Sequence, residues 1–566
     1  MNRWCCLLSL VASVPSVGCS SDPGDRPTTT VGVGGSASGG TGEGGDLAGG
    51  GANGSEGGTG ASGSAGGSGA TGGNGSGGAH VCNPGAKEVC YDGPPATVEL
   101  GPCLPGVRSC AADGAAWGAC EGQVLPVAEI CGTGWDDDCD GAVNEEGQDC
   151  DHPWLFAYSG ASFGATATNL AVGAAGDVVF TAHGEAVDFG KGPQAGPSHV
   201  VKLAGDGNFA WSWSYDGNET SMDVDAAGNV VVAGLVLGHG DLGKGPIGDG
   251  AQLYAYVSKL DAAGKLLSSE HLPISPHFSF VPVSIATDPA GDIYMAAQFH
   301  GKVTLGGVTL SSAGSYDWFL AKLDADLKVQ WVKQVGGVDA SLSITDLDVD
   351  AAGNLFVSGM AGGALPGWGI STADVVQGFI VQLWPDASLA WSRSFGTNPK
   401  VPTVTERIDL DAQGNVVATG TFSGSVDFGG GALVAPGEVG RFLVRLDPTG
   451  GHLWSTSWTS QPRSAPLAAR PHGETVFGGY LEGGSPVILD GQAFPAPTML
   501  LGGMDEKGSL AVSQVFDMPG QPTHIAVDTD GGTILAGMFT GAIDLGFGAA
   551  KSSVAGQTMF VGKLPN

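Results

Sequence analysis

The sequence predicts an all-β protein whose main part is a seven-bladed β-propeller. A glycine-centred turn recurs seven times at roughly 60-residue spacing, which is typical of repeat folds. Each copy contains four strand-like segments, the number found in one propeller blade. The near-identical phrases VDAAGNVVVAG (224–234) and VDAAGNLFVSG (349–359) show the repeat most clearly.

The recurring turn predicts a hairpin that joins the first two strands of each blade. The seven turns are Gly176-Asp177, Gly228-Asn229, Gly291-Asp292, Gly353-Asn354, Gly414-Asn415, Gly473-Glu474 and Gly531-Gly532. In five copies an aspartate stands three residues before the glycine: Asp225, Asp288, Asp350, Asp411 and Asp528. We expect these carboxylates to accept turn amides and the glycines to adopt positive φ. Gly173 and Arg470 replace the aspartate in two copies, which argues against an ion or catalytic role shared by the set.

A tryptophan-led segment ends most of the repeats and predicts how the ring closes. WLFAYSG (154–160) precedes the first copy, whereas the last copy ends at FVGKL (560–564) without such a segment. We therefore expect the first strand to complete the last blade, which leaves no open sheet edge. Trp211, Trp331, Trp391 and Trp454 occupy equivalent positions. Packing between blades is the preferred role for these rings, and a carbohydrate-stacking ladder is the alternative.

The repeats resemble the bacterial beta-propeller repeat class, in phrases such as DAQGNVVATGTFSGSVDFGG (411–430). The resemblance covers residues 154–566 and implies a propeller domain, which we place at 153–566. The repeat is longer than the ~40–45 residues of a WD40 blade. We therefore expect long connections such as GSVDFGGGALVAPGEVG (424–440) to protrude on one face and offer a binding surface.

Residues 1–19 have the layout of a secretory signal: one cation, Arg3, then a mostly apolar run and small residues. Ser16-Val17-Gly18-Cys19 resembles a bacterial lipobox, although Ser16 stands where Leu is usual. The resemblance implies that Cys19 carries a lipid, with the protein at the outer membrane or cell surface. Simple secretion is the alternative. No later window offers the ~18 apolar residues of a spanning helix, so we expect membrane attachment only through this lipid.

Residues 20–79 predict a disordered linker. From Thr28 to Ala79 the chain is almost entirely Gly, Ser, Ala and Thr, so it cannot bury enough apolar surface to fold. A flexible coil of this kind spans roughly 40 Å, enough to hold a domain away from a membrane. A passive filler is the alternative.

Residues 80–152 predict a small disulfide-rich domain. Eight cysteines lie in this segment: Cys82, Cys90, Cys103, Cys110, Cys120, Cys131, Cys139 and Cys150. An even, clustered set in an exported chain predicts four disulfides, whose pairing the sequence leaves open. Zinc is the rival interpretation, but the segment has no CxxC pair.

An acidic loop within this domain predicts a calcium site. Asp136, Asp138 and Asp140 alternate and are followed by Gly141, a pattern in which oxygen ligands can converge on Ca²⁺. Glu146 is the proposed further ligand, with Glu145 as its competitor. The spacing differs from an EF-hand, in which Gly147 would have to be Glu. A solvated acidic turn is the alternative.

The cysteine-rich segment also resembles a known motif. CNPGAKEVCYDGPP, LPGVRSC, WGAC, PVAEIC and DDDCDGAVNEE are similar to the MopE-like cysteine-rich motif of secreted myxobacterial proteins. The match spans residues 82–147. It implies an exported bacterial surface protein in which the acidic loop binds a metal.

The net charge and the motifs argue against several classes of function. The net charge of -34 repels nucleic acid and anionic lipid headgroups. GASFG (160–164) matches a nucleophile elbow around Ser162, but such an elbow needs an α/β sheet. The histidines beyond the cysteines form no HExxH motif, and no cofactor besides calcium is expected.

Two function classes remain. The preferred one is a monomeric, lipid-anchored surface module that binds or adheres to a protein or polysaccharide through its propeller. The alternative is a secreted propeller enzyme, a hydrolase or lyase acting on polysaccharide, with its site in the central channel. Carboxylates or histidines clustered in that channel with shifted pKa values would favour the enzyme.

Overall fold

A computed structural model describes residues 81–95, 97–98, 103–126 and 139 of the cysteine-rich segment and most of residues 153–564. The gaps within 153–564 are 160–165, 238–239, 248–252, 275–280, 315, 338–340, 373–374, 397–400, 436–438, 459–465, 472, 482–486, 490, 496–497, 517–519, 530, 546–548 and 552–557. The predicted signal and linker lie outside the described residues. The described part of the chain has no helix with the length and hydrophobicity needed to cross a membrane.

The described residues of the cysteine-rich segment form one small hairpin and three disulfides. Strands β1 (Lys87–Cys90) and β2 (Gly106–Ser109) pair antiparallel. The disulfides join Cys82 to Cys110, Cys90 to Cys120, and Cys103 to Cys139. The disulfide prediction is therefore confirmed for these six cysteines, and Cys131 and Cys150 lie outside the described residues.

The repeat region opens with β3 (Trp154–Tyr158) and then forms four-stranded antiparallel blades. Blade 1 consists of β4 (Thr166–Val172), β5 (Val178–His183), β6 (Ser198–Leu203) and β7 (Phe209–Tyr215). Blade 2 consists of β8 (Asn218–Val224), β9 (Val230–Leu237), β12 (Leu253–Leu260) and β13 (Leu266–Ile274), with β10 (Gly240–Asp241) and β11 (Pro246–Ile247) inserted. Blade 3 consists of β14 (Val281–Thr287), β15 (Ile293–Phe299), β18 (Asp317–Leu323) and β19 (Val329–Val335), with β16 (Lys302–Leu305) and β17 (Val308–Ser311) inserted.

The next three blades repeat this order. Blade 4 consists of β20 (Ser341–Val349), β21 (Leu355–Gly362), β24 (Gln377–Leu383) and β25 (Leu389–Phe395), with β22 (Ala364–Leu365), a 3-10 turn (Pro366–Trp368) and β23 (Ile370–Ser371) inserted. Blade 5 consists of β26 (Val404–Leu410), β27 (Val416–Phe422), β30 (Gly440–Leu446) and β31 (His452–Trp458), with β28 (Ser425–Asp427) and β29 (Ala432–Val434) inserted. Blade 6 consists of β32 (Leu467–Ala469), β33 (Thr475–Leu481), β36 (Thr498–Met504) and β37 (Leu510–Phe516), with β34 (Val487–Leu489) and β35 (Gln492–Phe494) inserted.

Blade 7 closes the ring as the sequence predicts. Its own strands are β38 (Gly520–Val527), β39 (Thr533–Phe539) and β42 (Thr558–Lys563), with β40 (Ala542–Asp544) and β41 (Ala549–Lys551) inserted. The fourth strand is β3 from the start of the region, paired antiparallel to β42. The inner strand of each blade contacts that of the next, and the inner strand of blade 7 contacts that of blade 1. The fold is therefore the predicted closed, seven-bladed ring.

The core lies between the blades. Side chains alternate along each strand, so every blade contributes one apolar face to each neighbour. In blade 3, Ile285 and Ile293 pack with blade 2, whereas Ala286 and Tyr294 pack with blade 4. Each blade is thus stabilised by apolar burial against both neighbours.

The inserted hairpins cover this core and protrude less than predicted. The connection at 424–440 forms β28 and β29, and its Val426 and Phe428 are buried in the cluster between blades 4 and 5. Outward-facing residues of such hairpins, including Val434 and Ile488, remain exposed. The sequence could not show that half of each hairpin would turn inward.

The recurring turns have the predicted geometry. All seven turn glycines have φ between 76° and 99°. Oδ1 of Asp225 accepts hydrogen bonds from the amides of Ala227 (3.0 Å) and Asn229 (2.9 Å), and the other turn aspartates accept turn amides in the same way.

In blades 2 and 5, the second oxygen of the turn aspartate pairs with a buried cation that also reaches the next blade. Lys259 Nζ lies 3.0 Å from Asp225 Oδ2 and 3.5 Å from the carbonyl of Gly291, the turn glycine of blade 3. In blade 5, Arg445 bonds Asp411 and the carbonyl of Gly473 in the same way. The cation thus joins its own turn to the turn of the neighbouring blade.

We predict that Lys259→Met destabilises the propeller by ~3 kcal/mol, because it leaves the buried Asp225 carboxylate without its counter-charge. Denaturant unfolding followed by tryptophan fluorescence measures the change. The matched control is Lys328→Met, which removes an ion pair with Asp326 that is 76% and 78% exposed and should alter stability by less than ~0.5 kcal/mol. Equal effects of the two substitutions would contradict the proposed role of the buried pair.

Candidate functional site

The residues predicted to carry a lipid or to bind calcium lie outside the described residues: Cys19, Asp136, Asp138, Asp140 and Glu146. Ser162 of the GASFG match also lies outside them. Lipid attachment at Cys19 and calcium binding by the acidic loop therefore stay predictions. The turn aspartates bond their turn amides, as described above.

The recurring tryptophans pack between blades, as the preferred interpretation predicts. The indole N–H of Trp211 donates to the carbonyl of Ala262 in blade 2 (2.9 Å), and that of Trp391 donates to Pro448 in blade 5 (2.9 Å). Trp331 makes the equivalent bond to Pro385 of blade 4, at 3.1 Å. Trp454 lies against Gly508 of blade 6, where a Cβ would approach the ring within 2.6 Å. No carbohydrate ladder is needed to explain these rings.

The structure does bring polar side chains together along the inner strands, which surround the axis of the ring. Two positions of the repeat, five and seven residues before the turn glycine, lie on the same side of each inner strand. The fifth position holds Ala171, Asp223, Ala286, Asp348, Asp409, Ala468 and Ala526. The seventh position holds Asn169, Ser221, Ser284, Asp346, Arg407, Pro466 and His524. The intervening position is apolar in every copy and packs into the core.

Three of these carboxylates bond the inner strand of the neighbouring blade. Asp223 Oδ2 accepts the amide of Thr287 at 2.7 Å, and Asp409 Oδ2 accepts the amide of Ala469 at 2.8 Å. Asp346 Oδ2 accepts the amide of Ile408 at 3.2 Å. These carboxylates therefore hold the inner rim of the ring together while remaining partly accessible.

Burial raises the pKa of these carboxyls. The pKa of Asp223 rises to about 6 because burial outweighs its hydrogen bonds with Thr287 and the amide of Val224. The pKa of Asp409 also rises to about 6 through burial and the charge of Asp346, against the amides of Ala469 and Leu410. Burial likewise raises the pKa of Asp346, which the charge of Arg407 lowers in part.

Asp348 and Asp409, on neighbouring inner strands, influence each other's ionisation. Burial and the Asp409 charge raise the pKa of Asp348 well above its ordinary value, with smaller contributions from Asp223 and Asp346. Asp348 in turn lowers the pKa of Asp409. A protonated Asp348 beside an ionised Asp409 satisfies both effects, since two neighbouring carboxylates resist double ionisation.

Blades that are not adjacent influence one another across the axis. The charge of Asp223 in blade 2 helps to raise the pKa of Asp348 in blade 4. Burial lowers the pKa of His524 in blade 7 to about 3, with a contribution from Arg407 of blade 5. His524 is therefore neutral. We call Asp223, Asp346, Asp348, Asp409, Arg407 and His524 the axial cluster.

The chemistry of the axial cluster is that of an acidic site with one proton donor. Above a pH of about 6, at which Asp223 and Asp409 ionise, the carboxylates outnumber the single guanidinium. Among the residues that the structure describes, no group of three or more His, Cys, Asp or Glu side chains is placed to hold a metal ion. Separated carboxylates of this kind suit a ligand that carries a positive charge or several hydroxyls.

Sequence reasoning missed this cluster, although a signal was present. The fifth position before the turn glycine alternates only between Asp and Ala in the seven copies, and the three aspartates fall in blades 2, 4 and 5. Aligning the repeats by position would have shown that these side chains share one level of the ring. Their hydrogen bonds and pKa shifts depend on the closed geometry, which the alignment does not contain.

Comparison with known proteins supports the repeat. A family model described as Beta-propeller repeat matches residues 330–365, which include parts of blades 3 and 4. No curated protein matches the chain. Among solved structures, a virginiamycin B lyase from Staphylococcus aureus is 10% identical with a TM-score of 0.39, over 73% of this chain and 99% of the lyase.

Two further solved structures are similarly distant. A gluconolactonase from Xanthomonas campestris is 12% identical with a TM-score of 0.29, covering 73% of this chain and 90% of the gluconolactonase. A structure described as YCF48 bound to D1 peptide is 10% identical with a TM-score of 0.35, over 74% and 96% of the two chains. At these identities and scores, no activity is carried over to this protein.

We predict that the two carboxyls respond differently to replacement by asparagine at pH 7. Asp348→Asn mimics the protonated carboxyl and should leave stability unchanged. Asp409→Asn removes a carboxyl that is ionised at pH 7 although burial raises its pKa to about 6, so it should increase stability at pH 7 by ~1–2 kcal/mol and leave it unchanged at pH 4. Thermal unfolding at the two pH values measures both variants. A stabilisation by Asp348→Asn at pH 7 equal to that by Asp409→Asn would show that Asp348 is not the protonated partner.

Proposed function

We propose that this protein is an exported surface module that binds its ligand at the axial cluster of the propeller. The disulfides support an extracellular location, because such bonds persist in oxidising compartments. The lipobox-like sequence at Cys19 and the Gly-rich linker would attach the propeller to the membrane and hold it at a distance. The propeller then faces the medium or a neighbouring surface.

One observation carries the proposal: three inner strands place carboxyls with raised pKa values around one axis. Partly buried carboxylates that repel one another are unfavourable when ionised unless a positive charge approaches them. A bound cationic group would supply that charge. The net charge of -34 would also attract such a ligand from solution.

The ligand class follows from this chemistry. We propose a protein or polysaccharide that presents a primary amine, such as a lysine side chain or a deacetylated amino sugar. The amine would donate to the accessible carboxylate oxygens, and Asp348, kept protonated, could donate in return to a hydroxyl. Arg407 would oppose the ligand charge and limit its affinity.

We predict that the purified protein binds a trilysine peptide or a deacetylated glucosamine trimer, measured by calorimetry at pH 7.5. Affinity should fall at least tenfold at pH 5, because Asp223 and Asp409, whose pKa is about 6, become protonated. Arg407→Gln should strengthen binding and Asp223→Asn should weaken it. Asp326→Asn is the matched control, because Asp326 is an exposed carboxylate in the turn between β18 and β19 and is not part of the axial cluster.

The acetylated glucosamine trimer and a triglycine peptide are the neutral control ligands. If these bind as well as the amines, or if Arg407→Gln has no effect, the axial cluster is not a cation-binding site. The choice between lysine and amino sugar is decided by which probe binds.

We predict that cells producing the protein incorporate labelled palmitate into it and that Cys19→Ser abolishes the incorporation. The reason is that only the Cys19 thiol stands at the lipobox-like position. Cys5→Ser is the control, since that residue lies within the signal. A secreted, unlabelled wild-type protein would instead support the simple secretion alternative.

A second candidate is a hydrolase or lyase acting on polysaccharide, and the Asp348–Asp409 pair favours it. A protonated carboxyl and an ionised one on neighbouring blades are the acid and the base that glycoside cleavage requires, one on each side of the scissile bond. Release of reducing ends from polysaccharides tests this candidate. Asp348→Asn, which leaves the fold intact by the reasoning above, should abolish such release without abolishing amine binding.

A further inference from the structure

A buried polar network joins blades 1 and 2 and is separate from the axial cluster. Glu219, nine residues before the turn glycine of blade 2, has a fully buried side chain and extends from β8 into blade 1. Its carboxylate meets Thr168 of β4, His183 of β5 at 2.9 Å and Tyr215 of β7 at 2.7 Å. One side chain of blade 2 therefore bonds three strands of blade 1.

The hydrogen bonds around His183 define its protonation state. Ser198 Oγ donates its only proton to the carbonyl of Gly217. His183 Nδ1 lies 3.0 Å from the same Oγ, so this nitrogen must carry a proton and donate it. His183 Nε2 lies 2.9 Å from the Glu219 carboxylate, a contact that is favourable when this nitrogen is also protonated. The complete network therefore favours a charged imidazolium.

The connection of serine, histidine and glutamate is not a catalytic triad. Ser198 is 1% exposed and its hydroxyl points to a backbone carbonyl, so no substrate can reach it. The ring of His183 keeps a quarter of its side-chain surface accessible. Protons can therefore exchange with solvent although the serine cannot react.

We propose that His183 and Glu219 form a proton-controlled latch, which holds blade 1 to blade 2 while His183 is charged and weakens when it loses its proton. No other copy of the repeat has an acidic residue at the position of Glu219. The latch is therefore a property of this one interface. It is independent of the ligand proposed above.

Among the ionisable groups of this network, His183 is the one expected to titrate near neutral pH. Burial lowers the pKa of His183, but the Glu219 carboxylate and, to a smaller extent, the carbonyl of Pro197 raise it by more, to above the ordinary value. Burial lowers the pKa of the adjacent His199 on β6, which stays neutral. Burial and the Glu219 charge raise the pKa of Tyr215 and Tyr256 well above the ordinary value, so both phenols stay neutral. Glu219 itself has a lowered pKa, because its bonds to His183 outweigh burial, and stays ionised.

The direction of the pH effect follows from the raised pKa of His183. The stabilisation is complete below the ordinary histidine pKa of ~6.5 and is lost as pH rises through the folded-state pKa above it. The wild-type melting temperature should therefore fall between pH 6.5 and 9. His183→Gln should melt at a lower temperature than wild type at pH 6.5, and its melting temperature should decrease less than that of wild type between pH 6.5 and 9.

His199→Gln is the matched control, because His199 is a buried neighbour on the same blade that bonds Ser214 and Gly184 and not Glu219. The melting temperature of this variant should decrease between pH 6.5 and 9 as much as that of wild type. If His183→Gln and wild type lose stability in parallel from pH 6.5 to 9, the latch is refuted.

Proton NMR of the full chain labelled at histidine Cε1 provides a test that needs no folded variant of His183. One histidine of the wild-type protein should titrate above pH 6.5, and Glu219→Gln should lower that midpoint by at least one pH unit. A wild-type spectrum in which every histidine titrates at or below 6.5 overturns the proposal even if neither variant folds.

Discussion

The ring depends on polar side chains that each blade extends to the backbone of the next. At the outer strands a tryptophan N–H reaches a carbonyl of the following blade, as Trp211 does with Ala262. Near the turns a cation such as Lys259 joins its own aspartate to the next turn, and at the inner strands Asp223 accepts the amide of Thr287. Apolar packing alone is not directional, so these bonds fix the angle at which one sheet meets the next. A buried ion pair supports this geometry because backbone carbonyls and amides satisfy its remaining hydrogen-bonding groups.

The exceptions in the repeat follow the same constraint. Blade 2 has no tryptophan on its outer strand. Elsewhere a tryptophan ring packs against a glycine in the outer turn of the next blade, as at Gly264 and Gly450. The corresponding position of blade 3 holds Leu327, with φ of 66°. Leu327 is buried in the cluster between blades 2 and 3 and fills that space. In blade 6, Arg470 replaces the turn aspartate and instead bonds Thr533 of blade 7 at 3.1 Å. The contact between blades is thus maintained when its residues change.

The architecture was predictable because the turn, the apolar strands and the tryptophan of a blade are local patterns in the sequence. The missing fourth strand of the last copy even predicted the pairing of β3 with β42. The axial cluster was not predictable in the same way. Asp348 and Asp409 are 61 residues apart in a chain whose turns also carry many aspartates, and only ring closure distinguishes the two sets. The inward packing of the inserted hairpins, as at Phe428, likewise depends on a neighbouring blade. Local patterns therefore determined the blades, whereas the site arises from their assembly.

The carboxyls of the axial cluster and His183 both lower the stability of the ring as pH rises. Asp223 and Asp409 have pKa values of about 6 in the folded state, above the ordinary value of 3.8, so their contribution to stability is complete below 3.8 and is lost as pH rises to about 6. His183 loses its contribution at higher pH, because its pKa lies above the ordinary histidine value. A cationic ligand at the axis would neutralise the carboxylates and so compensate the stability that they lose on ionisation. It cannot restore a proton to His183, which is bonded within blade 1 and to Glu219. Ligand binding and the latch between blades 1 and 2 are therefore separable by pH, since only the first loss depends on what occupies the axis.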